Sequence, residues 1–237
     1  MSKIAVLPQR SEEARPSLGP ADGLGSYEFS PSLVTLSDPS GVQAEAIRAL
    51  RTHIMAQHVQ QGRRALAVCG ANPGVGSTFT AANLTMSLSQ IGVKTLLLDC
   101  NLRTSGVEQL ITPAAPAGSL RQCLETSTGF IGECIDEDVL PNLSVLYSGG
   151  PAPNAQELLA SERFEDLMNS CLRDFHVTIV DTPPANSCSD ARRVSTVVGY
   201  SLIVARRGRT FMSDVKTLVG QLRSDHAKVI GTVLNEG

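Results

Sequence analysis

Residues 71 to 78 read Ala71-Asn72-Pro73-Gly74-Val75-Gly76-Ser77-Thr78: a small residue, four intervening residues, a glycine and two hydroxyl side chains. That is the spacing of a phosphate-binding loop, with a serine where the loop's lysine belongs. The glycines let the backbone curl so that its N–H groups converge on anionic oxygens, which a Cβ at those positions would obstruct. A helix opening at Ser77 adds its N-terminal dipole to the same place. Asn72, Pro73, Gly74, Val75, Gly76, Ser77, Thr78 and Phe79 are therefore the residues expected to line a nucleotide's phosphates, with the Thr78 hydroxyl placed for magnesium. Ser77 offers one neutral hydrogen bond and no charge, and losing a positive group that faces developing charge costs on the order of a hundredfold in rate.

Two carboxylates stand where apolar runs end. Asp99 follows Thr95-Leu96-Leu97-Leu98, and Asp181 follows Val177-Thr178-Ile179-Val180. An aspartate leaving a buried strand beside a phosphate loop suits magnesium, a hard cation that takes oxygen ligands directly or through its own waters. Either one alone reads equally well as a helix N-cap. The pair, beside a glycine loop, argues for chemistry.

The elements that must position these residues show in the hydrophobic pattern. Ala65-Leu66-Ala67-Val68-Cys69 is a short apolar run typical of a buried parallel strand, and Phe79, Ala82, Met86 and Leu88 fit a helix that stops by Gly92. Strands are expected at 65–69, 95–99, 143–147, 176–181, 200–205 and 228–234, and helices at 42–60, 77–91, 155–173, 188–197 and 211–224. This alternation implies an α/β fold, a doubly wound, mostly parallel sheet with helices on both faces, whose ligands sit at the carboxyl ends of the strands. The segment 104–142 is polar and weakly periodic, and its elements stay unassigned. Residues 1–40, rich in Ser, Pro, Gly and Glu, are expected to form a mobile tail, and 41–237 one domain.

Composition narrows the classes. The 237 residues carry 20 Lys and Arg against 23 Asp and Glu, a formal charge of −3, which gives no reason to expect nucleic acid as a general partner. No apolar stretch approaches a membrane span and the N-terminus lacks a signal-peptide pattern, so a cytoplasmic location is expected. The six cysteines form no Cys-x-x-Cys pair and read as reduced, mostly buried thiols, and the four histidines lack zinc-ligand spacing.

With these residues in place the chain resembles the bacterial tyrosine kinases and the capsule or exopolysaccharide regulatory ATPases. The likeness runs from Glu45 to Asn235 and rests on several motifs in order. Residues 71–78 resemble the family's Walker A loop; Leu98-Asp99-Cys100-Asn101-Leu102-Arg103 its second, Walker A' motif; and Ile179-Val180-Asp181-Thr182-Pro183-Pro184 its Walker B motif. Glu45-x-x-Arg48-x-x-Arg51 resembles its oligomerisation helix, and Pro153-Asn154-x-x-Glu157-Leu158-Leu159, Ser161-Glu162-Arg163-Phe164 and Ser189-Asp190-Ala191 also match.

The resemblance implies a P-loop NTPase fold, ATP and Mg2+ as ligands, and tyrosine phosphorylation between neighbours in a homo-oligomeric ring. It implies a membrane polysaccharide co-polymerase, a Wzz-like chain-length regulator, as the partner that brings the protein to the inner face of the cell membrane. By motif match Thr78 and Asp181 would hold magnesium, Asp99 would serve as general base toward a tyrosine hydroxyl and lie near the metal, and Arg103 would lie near phosphate or the facing subunit. A solvated arginine at a strand end is the plainer reading of Arg103.

Three departures qualify this. Ser77 replaces the lysine, Asn101 occupies the family's second acidic position, and no tyrosine-rich tail follows Asn235 in the sequence. Of Tyr27, Tyr147 and Tyr200, the last two fall on expected strands, which leaves Tyr27 as the candidate phosphoacceptor. A catalytically weak pseudokinase that uses nucleotide as an assembly switch is the alternative within the family. The partition and division-site deviant Walker A ATPases share the fold, but they usually carry a second lysine early in the loop, and none is present here.

Overall fold

A computed structural model describes residues 4–7, 27–115, 117–126 and 131–236. The chain opens with strand β1 (Ile4–Leu7), then β2 (Tyr27–Phe29) and the short helix α1 (Val34–Ser37). Helix α2 (Val42–Gln57) buries Ala44, Ile47, Leu50 and Ile54, the apolar stripe that its sequence spacing requires. Strand β3 (Ala65–Gly70) leads into α3 (Ser77–Ser89) and β4 (Thr95–Asp99).

The segment left unassigned from sequence holds β5 (Ile111–Pro113), α4 (Leu120–Glu125) and β6 (Asp136–Leu140), none longer than six residues. Strand β7 (Leu143–Leu146) returns to the core. The single helix expected over 155–173 is instead two, α5 (Ala155–Ala160) and α6 (Glu162–Asp174). Ser161 lies between them in extended conformation, and its hydroxyl accepts from Phe164 N, so the residue caps a new helix. Strand β8 (Val177–Asp181), helix α7 (Asp190–Val198), strand β9 (Tyr200–Arg206), helix α8 (Met212–Ser224) and strand β10 (Lys228–Asn235) follow.

Eight strands form one sheet in the order β1-β10-β9-β3-β8-β4-β7-β6, and only the β6–β7 pair is antiparallel. Period-two alternation splits the core. Ala65, Ala67 and Cys69 of β3 pack with Phe164 and Leu167 of α6 and Leu218 of α8. Leu66 and Val68 face the other way, with Ile47 and Ile54 of α2 and Leu84 and Leu88 of α3. Both faces of the sheet are thus covered, as near-continuous apolar strands demand. Each fully buried Leu or Phe contributes about 1.5–3 kcal/mol of hydrophobic stabilisation.

Order begins earlier than Gly41. Residues 8–26 lie outside the described residues, but β2 pairs antiparallel with β5, joining Tyr27 to Pro113 and Phe29 to Ile111. Leu33 is fully buried, Asn83 Oδ1 accepts from Thr35 N at 3.3 Å, and Asn83 Nδ2 donates to Ser32 O at 3.0 Å. A two-residue apolar anchor, Leu33-Val34, holds this stretch to α3, and the polar composition around it hides that anchor. Tyr27 is accordingly half-buried in a strand, with its hydroxyl donating to Asp136 Oδ2 at 3.2 Å, rather than carried on a free tail.

Candidate functional site

Strand β3 lies between β9 and β8 in the sheet. The chain leaves it through α3 for β4 on one side, while β8 leads through α7 to β9 on the other. Such a reversal opens a crevice at the carboxyl ends of the strands. The glycine loop sits there. Gly74 has φ +71° and Gly76 φ +91°, both in the left-handed region that glycine tolerates, and Ser77 starts α3 directly behind them. A Cβ on Gly70 would collide with Val75, and one on Gly76 with Asn235 Nδ2, so the loop is packed on glycine backbone.

The loop is held from three sides. Ala185 N and Asn186 N donate to Gly70 O and Ala71 O at 2.9 Å each. Asn235 Nδ2, from the end of β10, donates to Val75 O at 3.0 Å, and Arg206 Nη1, from the end of β9, donates to Gly74 O at 3.0 Å. Val75 is buried, Pro73 and Gly74 are exposed, and Asn72, Gly76, Ser77, Thr78 and Phe79 are intermediate. Asn72 Oδ1 is buried with no partner among the described residues.

Behind the loop the two aspartates meet. Asp99 and Asp181 are register partners across β4 and β8, both fully buried, and Thr78 Oγ1 donates to Asp181 Oδ2 at 2.6 Å. Asp181 Oδ1 is buried and unpartnered among the described residues. Burial, and next the Asp99 charge, hold the Asp181 carboxyl well above the usual carboxylate range. Burial raises Asp99 to about 6, against the backbone hydrogen bonds from Asn101 and Val107 that lower it. A divalent cation would relieve both effects, because it favours the ionised carboxylates and supplies a partner for the orphan oxygen. The donor set of Thr78 and Asp181 fits magnesium on chemistry as well as position.

Asp99 and Arg103 sit differently from the sequence expectation. One Asp99 oxygen accepts from Asn101 N at 2.9 Å and the other from Val107 N at 3.4 Å, so the carboxylate ties down the 101–107 loop and is closed off from solvent. Asn101 Oδ1 accepts from Arg103 N and Thr104 N in the same turn. Arg103 is neither loose in solvent nor free: its Nε and Nη2 fork onto Asp190 Oδ2 and Oδ1 at 2.8 and 3.2 Å, with Asp190 buried at the start of α7. Glu45, Arg48 and Arg51 lie away from this crevice on α2. Arg48 pairs with Glu45 at 2.7 Å and donates to Pro39 O, while Arg51 Nη1 donates to Ser87 O at 3.0 Å and so fastens α2 to α3.

Asn235 and Arg206 escape a reading of the sequence because they follow the loop by more than a hundred residues. The available signal was the cationic run Arg206-Arg207-Gly208-Arg209 at the end of an expected strand.

Fold and site together define a P-loop NTPase fold, and the family profile described as AAA domain matches residues 63–220. The chain is 31% identical over 224 residues to the tyrosine-protein kinase wzc of Salmonella typhimurium, covering 94% of this chain and 31% of wzc. It is 28% identical over 204 residues to the tyrosine-protein kinase YwqD of Bacillus subtilis, 86% of this chain and 85% of YwqD. Among solved structures, the kinase domain of Escherichia coli tyrosine kinase ETK superposes with a TM-score of 0.83 at 26% identity, over 98% of this chain and 89% of that one. The chain belongs to the bacterial tyrosine-kinase family of P-loop proteins. It spans about a third of the length of wzc.

Proposed function

We propose that this chain binds ATP with magnesium and acts as a tyrosine-kinase-like regulator of exopolysaccharide or capsule polymerisation and export, together with a membrane polysaccharide co-polymerase. The observation that carries the reading is the glycine loop with Thr78 hydrogen-bonded to Asp181 beside Asp99. Asn72 to Phe79 would cradle the phosphates, with Thr78 and Asp181 holding the metal, whose chemistry is to neutralise charge on the phosphates. Asp99 shapes the loop that covers Thr78, since a Cβ on Gly106 would approach Thr78 Oγ1 within 3.1 Å. To act as a base toward a tyrosine hydroxyl it would first have to be uncovered. The described residues include no helix long and apolar enough to cross a membrane; in this reading the co-polymerase brings the chain to one.

The second reading, a pseudokinase that uses nucleotide to control assembly, is favoured by Ser77 in the lysine position and by the closed environment of Asp99. Phosphotyrosine mapping after incubation with ATP and magnesium separates the two. Kinase action predicts label that is lost in Asp99→Ala; Tyr147 is fully enclosed and Tyr27 and Tyr200 are both half-buried, so Tyr27 serves as the acceptor only once its bond to Asp136 opens. No label in wild type, alongside ATP binding, identifies the pseudokinase.

A further inference from the structure

The loop that lacks its lysine is not short of positive charge. The turn after β9 carries Arg206, Arg207 and Arg209, and the sheet order sets that turn beside the loop because β9 is the immediate neighbour of β3. The three arginines have different surroundings. Arg207 Nη1 turns away to Glu236 Oε1 at 3.0 Å. Arg206 is tied to the loop's backbone by its bond to Gly74 O. Arg209 is exposed and lies against Gly74 itself, where a built Cβ would come within 3.0 Å of Arg209 Nη1. Among the described residues no ion pair or side-chain hydrogen bond holds the Arg209 guanidinium.

The backbone around Arg209 is fixed although its head is not. Arg209 N donates to Arg206 O, and Arg206 N donates to Thr210 Oγ1 at 2.9 Å. The turn therefore presents a cation at the rim of an anion-binding loop, from a rigid base, at the point where the loop has no side chain to shield it. A guanidinium is permanently charged and matches phosphate oxygens in a fork, which a serine hydroxyl cannot do.

We propose that Arg209 is a phosphate-binding residue that supplies, from within the same chain, the positive charge absent at Ser77, and that its ligand is the polyphosphate of a nucleoside triphosphate. This inference rests on the nucleotide-binding reading above. It differs in saying where the charge comes from.

Calorimetric titration of Mg-ATP into the full chain tests it with wild type, Arg209→Gln, Arg209→Lys, Ser77→Lys and the Ser77→Lys/Arg209→Gln double variant. Because Arg209 is exposed, none of its substitutions touches the core. The expected result is that Arg209→Gln weakens ATP by about tenfold at low salt, as for loss of one charge-assisted contact. Arg209→Lys should keep most of the affinity, and the double variant should regain it. The loss should shrink at high salt and be absent for adenosine. If Arg209→Gln bound ATP as wild type does, or if only the Ser77→Lys variants bound it, the charge would not come from Arg209 and the inference would fall while the nucleotide reading stood. If no protein in the set bound ATP, both would fall.

Discussion

Asp99 and Asp181 are enclosed side by side, and burial raises each carboxyl above its ordinary value. A carboxyl whose folded pKa is raised binds protons more readily folded than unfolded. It therefore supports stability below its unfolded value near 3.8, and that support is lost as pH climbs through the folded value of about 6. For Asp99 the loss between about pH 5 and about pH 7.5 is on the order of 1 kcal/mol. Urea unfolding without nucleotide or metal should show wild type losing more stability than Asp99→Asn across that interval, and equal losses would mean that Asp99 is ionised throughout. The carboxylates' types and positions at strand ends were legible in the sequence. That both Asp99 oxygens would be taken up by the backbone of the 101–107 loop was not, because the bond to Val107 N depends on how an unpatterned stretch folds back.

At the scale of elements, what could be read was what burial dictates. Apolar runs announced β3, β4, β7, β8, β9 and β10 to within about two residues, since a strand covered on both faces needs a continuous hydrophobic stretch. Short pieces whose stability is borrowed from neighbours stayed hidden: β2, β5, α1 and α4 have between three and six residues each. The break at Ser161 was hidden too, although Ser161-Glu162-Arg163-Phe164 carries the N-cap itself. Helix α2 is the element whose role is most open to experiment. Arg51 is used within the chain to bind α3, whereas Glu45 is exposed and Arg48, half-buried, bonds both Glu45 and Pro39 O; the ion pair itself is worth only a few tenths of a kcal/mol to the monomer. If that face docks on a neighbouring copy, as the resemblance to the family's oligomerisation helix implies, Arg48→Glu should shift any oligomer toward monomer in light scattering. An unchanged mass would assign the pair to solvent.

For the whole molecule, the sheet order gathers the site. Placing β3 between β8 and β9 puts the Asp181 carboxylate behind the glycine loop and the arginine turn on its rim, while β10, beside β9, brings Asn235 under Gly76. Residues spread from Asn72 to Asn235 thus converge on one glycine loop, in which Gly74 and Gly76 hold left-handed backbone beside Ser77. The proposed function requires that this loop take a nucleotide through its backbone and through Thr78 and Asp181. Its most direct test is Mg-ATP binding by calorimetry in wild type, Ser77→Lys and Asp181→Asn. Weak binding in wild type, tightened in Ser77→Lys because an ammonium holds phosphate more strongly than a hydroxyl, and a magnesium-dependent part lost in Asp181→Asn, is the expected result. No binding in wild type or in Ser77→Lys would contradict it.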